Sequence, residues 1–135
     1  MKGKDHFKEL LGIQLLELKQ SYAKTTMTIK KEHTNGLDVT HGGVIFSFAD
    51  YAFAEAVNFG DNVALAVQVS INYLKPSKEG DTLTAEAIQV SEGKTFELYQ
   101  VTVRKENKTI AIFTGLAYKP PNLNNSPANN PHSEK

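Results

Sequence analysis

The hydrophobic pattern changes character along the chain. It opens with a short amphipathic stretch, Phe7-Lys8-Glu9-Leu10-Leu11, closed by Gly12, which reads as a helix with its stop signal. Residues 13–31, rich in Thr, Tyr, Leu and Ile, read as one or two strands, and residues 32–40 as a loop turning at Asn35-Gly36. Residues 44–58 hold no Gly or Pro, and only Ser47, Asp50, Glu55 and Asn58 are clearly polar. A helix apolar nearly all round is expected to be buried on every side. In a small domain that makes it a central helix wrapped by other elements.

Beyond the helix the period becomes two. Leu65, Val67, Val69, Ile71 and Tyr73 alternate with Ala66, Gln68, Ser70 and Asn72. Turns at residues 76–81, 92–93 and 106–107 separate this strand from three more, over 82–90, 94–104 and 109–119. Strands joined by such short turns are mostly antiparallel. The predicted class is α+β, one long central helix wrapped by a curved antiparallel sheet of about five to six strands.

Composition narrows the function. The 135 residues carry 15 Lys+Arg and 15 Asp+Glu, a formal net charge of zero, whereas nucleic-acid modules are basic. There is no cysteine, which excludes thiol nucleophiles and Cys-ligated zinc. No apolar run approaches the ~18 residues of a membrane span, and the first residues lack a signal-peptide core, so a cytoplasmic protein without a membrane anchor is expected. Residues 120–135, with four prolines and five asparagines, read as a disordered polar tail on a domain of residues 1–119. Gly93-Lys94-Thr95 resembles the end of a phosphate-binding loop, but Ile88 occupies the position where that motif needs its first glycine. Neither a GxSxG elbow nor a metal-binding histidine spacing is present.

Asp50 is the chemical anomaly. A carboxylate in an apolar helix is costly unless paired or hydrogen-bonded, and no Lys or Arg lies between residues 44 and 58. It is satisfied by a Tyr, Ser or backbone N–H from elsewhere, or it stands beside a cleft to activate water or attack an electrophilic carbon. Glu55 lies about 140° further round the helix and reads as the partner of an exposed group. Gly42 and Gly43 open the helix. Free first-turn N–H groups and the absence of Cβ atoms suit them to hold a developing oxyanion, although a tight loop-to-helix turn needs the same residues. His41 is a loop cap or a participant in that hole, and Asn35 a turn residue or a contact to substrate. His6, His33 and His132 read as surface residues.

The string HGGVIFSFADYAFAEAVN, with Asp50 nine residues after His41, and the later INYLKPSKEGDTLTAEA resemble the hotdog-fold thioesterases, most nearly their phenylacetate-pathway (PaaI-like) branch. The resemblance runs over residues 5–119. It implies a hotdog fold and hydrolysis of acyl-CoA thioesters without metal or cofactor. It implies an active site shared between subunits of a homodimer or homotetramer. By that likeness Asp50 is the catalytic carboxylate, Gly42 the oxyanion donor, and His41 and Asn35 their neighbours. Tyr73, Lys75, Gly93, Lys94, Thr95 and Gln68 fall where relatives contact coenzyme A or substrate. Ala66 stands where some relatives carry a water-positioning Ser or Thr. Lys75, Lys78, Lys94, Arg104 and Lys119 are expected to gather at one basic rim. The alternatives within reach are a hotdog dehydratase or hydratase, and a non-catalytic acyl-CoA sensor.

Geometry adds an independent expectation. Gly42 and Asp50 are separated by about 12 Å along a helix, too far for both to act on one thioester carbon. If both act, they come from different chains.

Overall fold

A computed structural model describes residues 3–121; the predicted tail from 122 onward lies outside the described residues. The element order is α1 (His6–Leu11), β1 (Gln14–Lys19), β2 (Tyr22–Thr28), α2 (Gly42–Val57), β3 (Leu65–Tyr73), β4 (Thr82–Glu92), β5 (Phe96–Lys105) and β6 (Lys108–Tyr118). The six strands form one antiparallel sheet in the order β1-β2-β4-β5-β6-β3. The predicted α+β plan of one helix on a wrapped sheet is therefore the observed one. Residues 13–31 resolve into two strands, and the stretch read as loop begins with a short 3₁₀ turn at Lys31–His33. β5 starts at Phe96 rather than Lys94, because Gly93 N–H closes the turn on Phe96 O at 2.8 Å.

Helix α1 has the caps its sequence announces. The Asp5 side chain accepts from Lys8 N–H at 2.9 Å, and Gly12 takes the left-handed conformation (φ 73°) that a side chain disfavours.

The core is the interface between α2 and the sheet. Phe48, Ala49, Ala52 and Phe53 of the helix are fully buried, as are Leu83, Ala85 and Ala87 of β4, Val101 and Val103 of β5, and Phe113 of β6. Phe53 packs at 5.6 Å from Phe113 and 5.9 Å from Tyr99, ring centre to ring centre. Alanines on both faces let helix and sheet approach closely, and Gly115 of β6 marks the tightest point. A Cβ there would lie 2.8 Å from Phe53 Cζ and 3.0 Å from Phe113 Cε1.

The helix is not buried on every side. Gly43 is exposed, and Ser47, Asp50 and Ala54 are only half-buried. Spaced by four, three and four residues, they form one stripe along a 3.6-residue helix. The sheet curls round the rest and leaves that stripe open.

Gly115→Ala forces two core rings to move, so it is expected to destabilise the fold by about 1–3 kcal/mol. Urea unfolding checks this through the midpoint, with the slope unchanged.

Candidate active site

The start of α2 is clamped by the loop before it. His41 N–H donates to His33 O and Thr40 N–H to Ser77 O, each at 2.8 Å, and the buried Ser77 and Thr40 hydroxyls bond to one another at 2.6 Å. His33 is buried, not a surface residue. Its Nδ1 accepts from Lys30 N–H at 2.9 Å, which pins the loop's first turn. Asn35 shapes the loop tip: Oδ1 accepts from Leu37 N–H at 2.8 Å, and the backbone N–H donates to Val39 O at 2.9 Å. The adjoining Asp38 has φ 62°. Asn35 is thus a turn-forming residue here, with its side-chain oxygen committed to the backbone.

His41 caps the helix. Its extended backbone (φ −61°, ψ 135°) puts Nδ1 at 3.0 Å from Gly43 N–H. The Gly42 N–H has no acceptor among the described residues. Gly42 lines a cleft of about 310 Å³ with Ile45, Tyr73, Leu74, Lys75 and Ile110. The Tyr73 ring lies against it, 3.3 Å from where a Cβ would be, and the Tyr73 hydroxyl donates to Gly42 O at 3.0 Å.

Asp50 lies on the open stripe, two turns further on. Among the described residues its carboxylate accepts no hydrogen bond. It lines a second cleft of about 300 Å³, walled by Phe7 and Leu11 of α1 and by Phe46 and Tyr51, with Asp5 and Lys8 at its edge. Burial pushes its pKa above the ordinary carboxylate value, and the negative charge of Asp5 pushes it further the same way. The two clefts share no residue.

Glu55 is buried, and it accepts a hydrogen bond from the Tyr51 hydroxyl at 2.5 Å, a core contact that the sequence does not reveal. Burial first, then that bond, raises the Tyr51 pKa.

The coenzyme-contact candidates divide between the two ends of the sheet. Leu65, Tyr118 and Phe96 align at one end, where the exposed turn Gly93-Lys94-Thr95 sits. Tyr73 and the exposed Lys75 mark the other end. A single basic rim does not form within the chain. Lys94 and Lys119 lie at the first end, Lys75, Lys78 and Arg104 at the second. Two of the five are also neutralised: Arg104 pairs with Glu86 at 2.7 Å and Lys119 with Glu97 at 3.0 Å. Gln68 is exposed, following a bulge at Val67, and its amide donates to Val69 O at 3.3 Å.

Sequence reasoning missed Asp5, Tyr73's contact with the helix start, and the Thr40–Ser77 clamp. Asp5 was detectable, since Asp is a preferred N-cap before an amphipathic run. The other two join residues more than 30 positions apart, and no local pattern carries them.

A long helix lying in a curled six-stranded antiparallel sheet is the hotdog arrangement, and it leaves an unpaired carboxylate on the open stripe and a free amide at the helix start. The chain belongs to the thioesterase superfamily, which it matches over residues 37–112. An esterase-like protein of Archaeoglobus fulgidus is 47% identical over 116 residues, 85% of this chain and 75% of that one. The Escherichia coli acyl-coenzyme A thioesterase PaaI is 38% identical over 110 residues, 81% and 79% of the two chains. The structure of that PaaI protein, from the phenylacetic acid degradation operon, superposes with a TM-score of 0.84 over 86% of this chain and 85% of its own. A Streptococcus mutans protein solved bound to acetyl CoA gives a TM-score of 0.77 at 27% identity, covering 80% and 88%.

Because Asp50's pKa is raised on folding, the folded state keeps a proton that the unfolded chain releases. Stability therefore falls as pH rises from the ordinary carboxylate value of about 3.9. It stays lowered at neutral pH. Asp50→Asn is expected to raise the unfolding temperature at pH ~7, with the gap closing towards pH ~3. Thermal unfolding across that range is the check.

Proposed function

We propose that this protein hydrolyses acyl-CoA thioesters to the free acid and coenzyme A at a site that two copies of the chain complete together. One copy supplies the Gly42 N–H, which holds the carbonyl oxygen as it becomes an oxyanion. The other supplies Asp50, which activates water or attacks the carbonyl carbon. The observation that carries this reading is a free amide and an unpaired carboxylate on one helix, about 12 Å apart along its axis, in clefts with no residue in common. One thioester carbon needs both within about 3–3.5 Å.

The sheet edge supports the pairing. β3 is an edge strand of nine residues, LAVQVSINY, with no charge and no proline, and Leu65 and Val67 are each 53% exposed. The opposite edge, β1, carries Glu17 and Lys19. Bare apolar edges invite pairing with another strand. Two β3 strands meeting antiparallel about a two-fold axis bring the Tyr73 end of one copy to the Leu65 end of the other. Lys75 of one copy then shares an end with the Gly93-Lys94-Thr95 turn of its mate. The coenzyme contacts divided within one chain become neighbours across the pair.

The acyl group lies along the cleft walled by Phe7, Leu11, Phe46 and Tyr51, beside Asp50. The names of the E. coli relative and of the acetyl-CoA-bound S. mutans protein favour a coenzyme A ester as the substrate.

Complementation tests the shared site. Asp50→Asn is expected to lower kcat by about 10²–10⁴. Gly42→Pro removes the amide while suiting the first helical position and the extended His41 before it; it too is expected to be nearly inactive. Refolding the two variants together at equal concentration should restore about a quarter of wild-type activity, since half the dimers are mixed and each mixed dimer has one intact site. Thiol release from CoA esters is the assay. No recovery on mixing, with mixed dimers confirmed, overturns the shared site. Asp50→Asn turning over at the wild-type rate overturns its catalytic role.

A further inference from the structure

Tyr73 ends β3 with its ring against the first residue of α2, and its hydroxyl donates to Gly42 O at 3.0 Å. The peptide that accepts this bond gives its own N–H, that of Gly43, to His41 Nδ1 at 3.0 Å. Phenol, peptide and imidazole thus form one relay, Tyr73 O–H to O=C–N–H to Nδ1. Bonds in such a chain strengthen each other by roughly 10–30% apiece. A backbone N–H can only donate, so Nδ1 must present its lone pair. A neutral imidazole held in this way carries its proton on Nε2. His41 is exposed, and Nε2 has no partner among the described residues.

We infer that Tyr73 is a positioning residue, which acts through the Gly42–Gly43 peptide to hold His41 as a hydrogen-bond donor at Nε2, next to the Gly42 amide. The inference rests on the reading of Gly42 as oxyanion donor. It assigns His41 to donating, not to proton abstraction, and leaves the base or nucleophile to Asp50. It also separates Tyr73 from the role its position first implies, a contact to coenzyme A. A coenzyme contact acts on KM, whereas a positioning residue at the donor end acts on kcat.

Tyr73→Phe keeps the ring on Gly42 and removes only the hydroxyl. In nitrogen–proton NMR spectra of the free protein, the Gly43 amide proton is expected to move upfield. Its exchange with solvent should quicken by less than about two-fold, since its own bond to His41 remains and weakens by only roughly 10–30%. In turnover of a CoA ester, kcat should fall about 5–10-fold, matching the loss of one such bond, with KM within two-fold of wild type. In a His41→Asn background, which retains a side-chain acceptor at the cap but lacks the Nε2 donor, adding Tyr73→Phe should cost nothing further in kcat. An unmoved Gly43 amide overturns the inference. So does a raised KM with kcat intact, or additive losses in the double variant. The NMR measurement needs no turnover, so it stands or falls separately from the shared-site reading.

Discussion

A single helix must be buried by a single sheet, and most of the molecule follows from that constraint. Sixteen residues with no basic side chain and only two acids can be covered only by a sheet that curls round them. Close wrapping demands small residues at the contact, hence Ala49, Ala52 and Ala56 facing Ala85, Ala87 and Ala111, and a glycine where Phe53 meets β6. The strip the sheet leaves uncovered is the one place on the helix where a charge can be kept without a partner. Asp50 occupies it. Glu55, on a covered face, instead needs the Tyr51 hydroxyl.

The same constraint leaves an unfinished edge. A sheet curled round one helix ends at β3, where the strand displays apolar side chains and no charge. The edge also lies beside the helix start, because Tyr73 reaches Gly42 from the end of that strand. Whatever covers the edge therefore sits within reach of the free amide. On the proposed two-fold pairing, one contact hides the apolar strand and completes the site.

Legibility in the sequence followed the range of the interaction. The alternation from Leu65 to Tyr73 marks β3 to the residue. The helix is visible because its fourteen positions after the first two hold neither glycine nor proline, and Gly12 ends α1 in the conformation that only glycine takes readily. Asp50 stands out against its apolar neighbours. Other features were hidden. The open stripe is hidden from periodicity, since Ala54 on it looks like a core residue while Glu55, as polar as Asp50, falls on a covered face. His33 is polar in composition yet buried, because the loop folds back and needs its ring to hold Lys30 N–H. Lys75, Lys78, Lys94, Arg104 and Lys119 all fall at turns or strand ends, and that position alone groups them into one rim. Strand order decides which turns share an end, and non-consecutive neighbours such as β6 and β3 cannot be read from spacing.

The separation of donor and acid along α2 has a chemical logic of its own. The free N–H groups and dipole at a helix start carry partial positive charge. That charge helps an oxyanion, but it would also stabilise a neighbouring carboxylate and lower its pKa, making it a poorer base. Placed about 12 Å down the axis, Asp50 escapes that field, which fades within the first turn. It meets instead a desolvated cleft and the negative charge of Asp5, both of which raise its proton affinity. A single helix cannot give one thioester a positive end and a strengthened base at once. Two helices related by a two-fold axis can, each presenting its start to the middle of the other. Desolvation and the neighbouring Asp5 both favour the protonated acid, and an acid left without a relieving partner is what the proposed role of Asp50 requires.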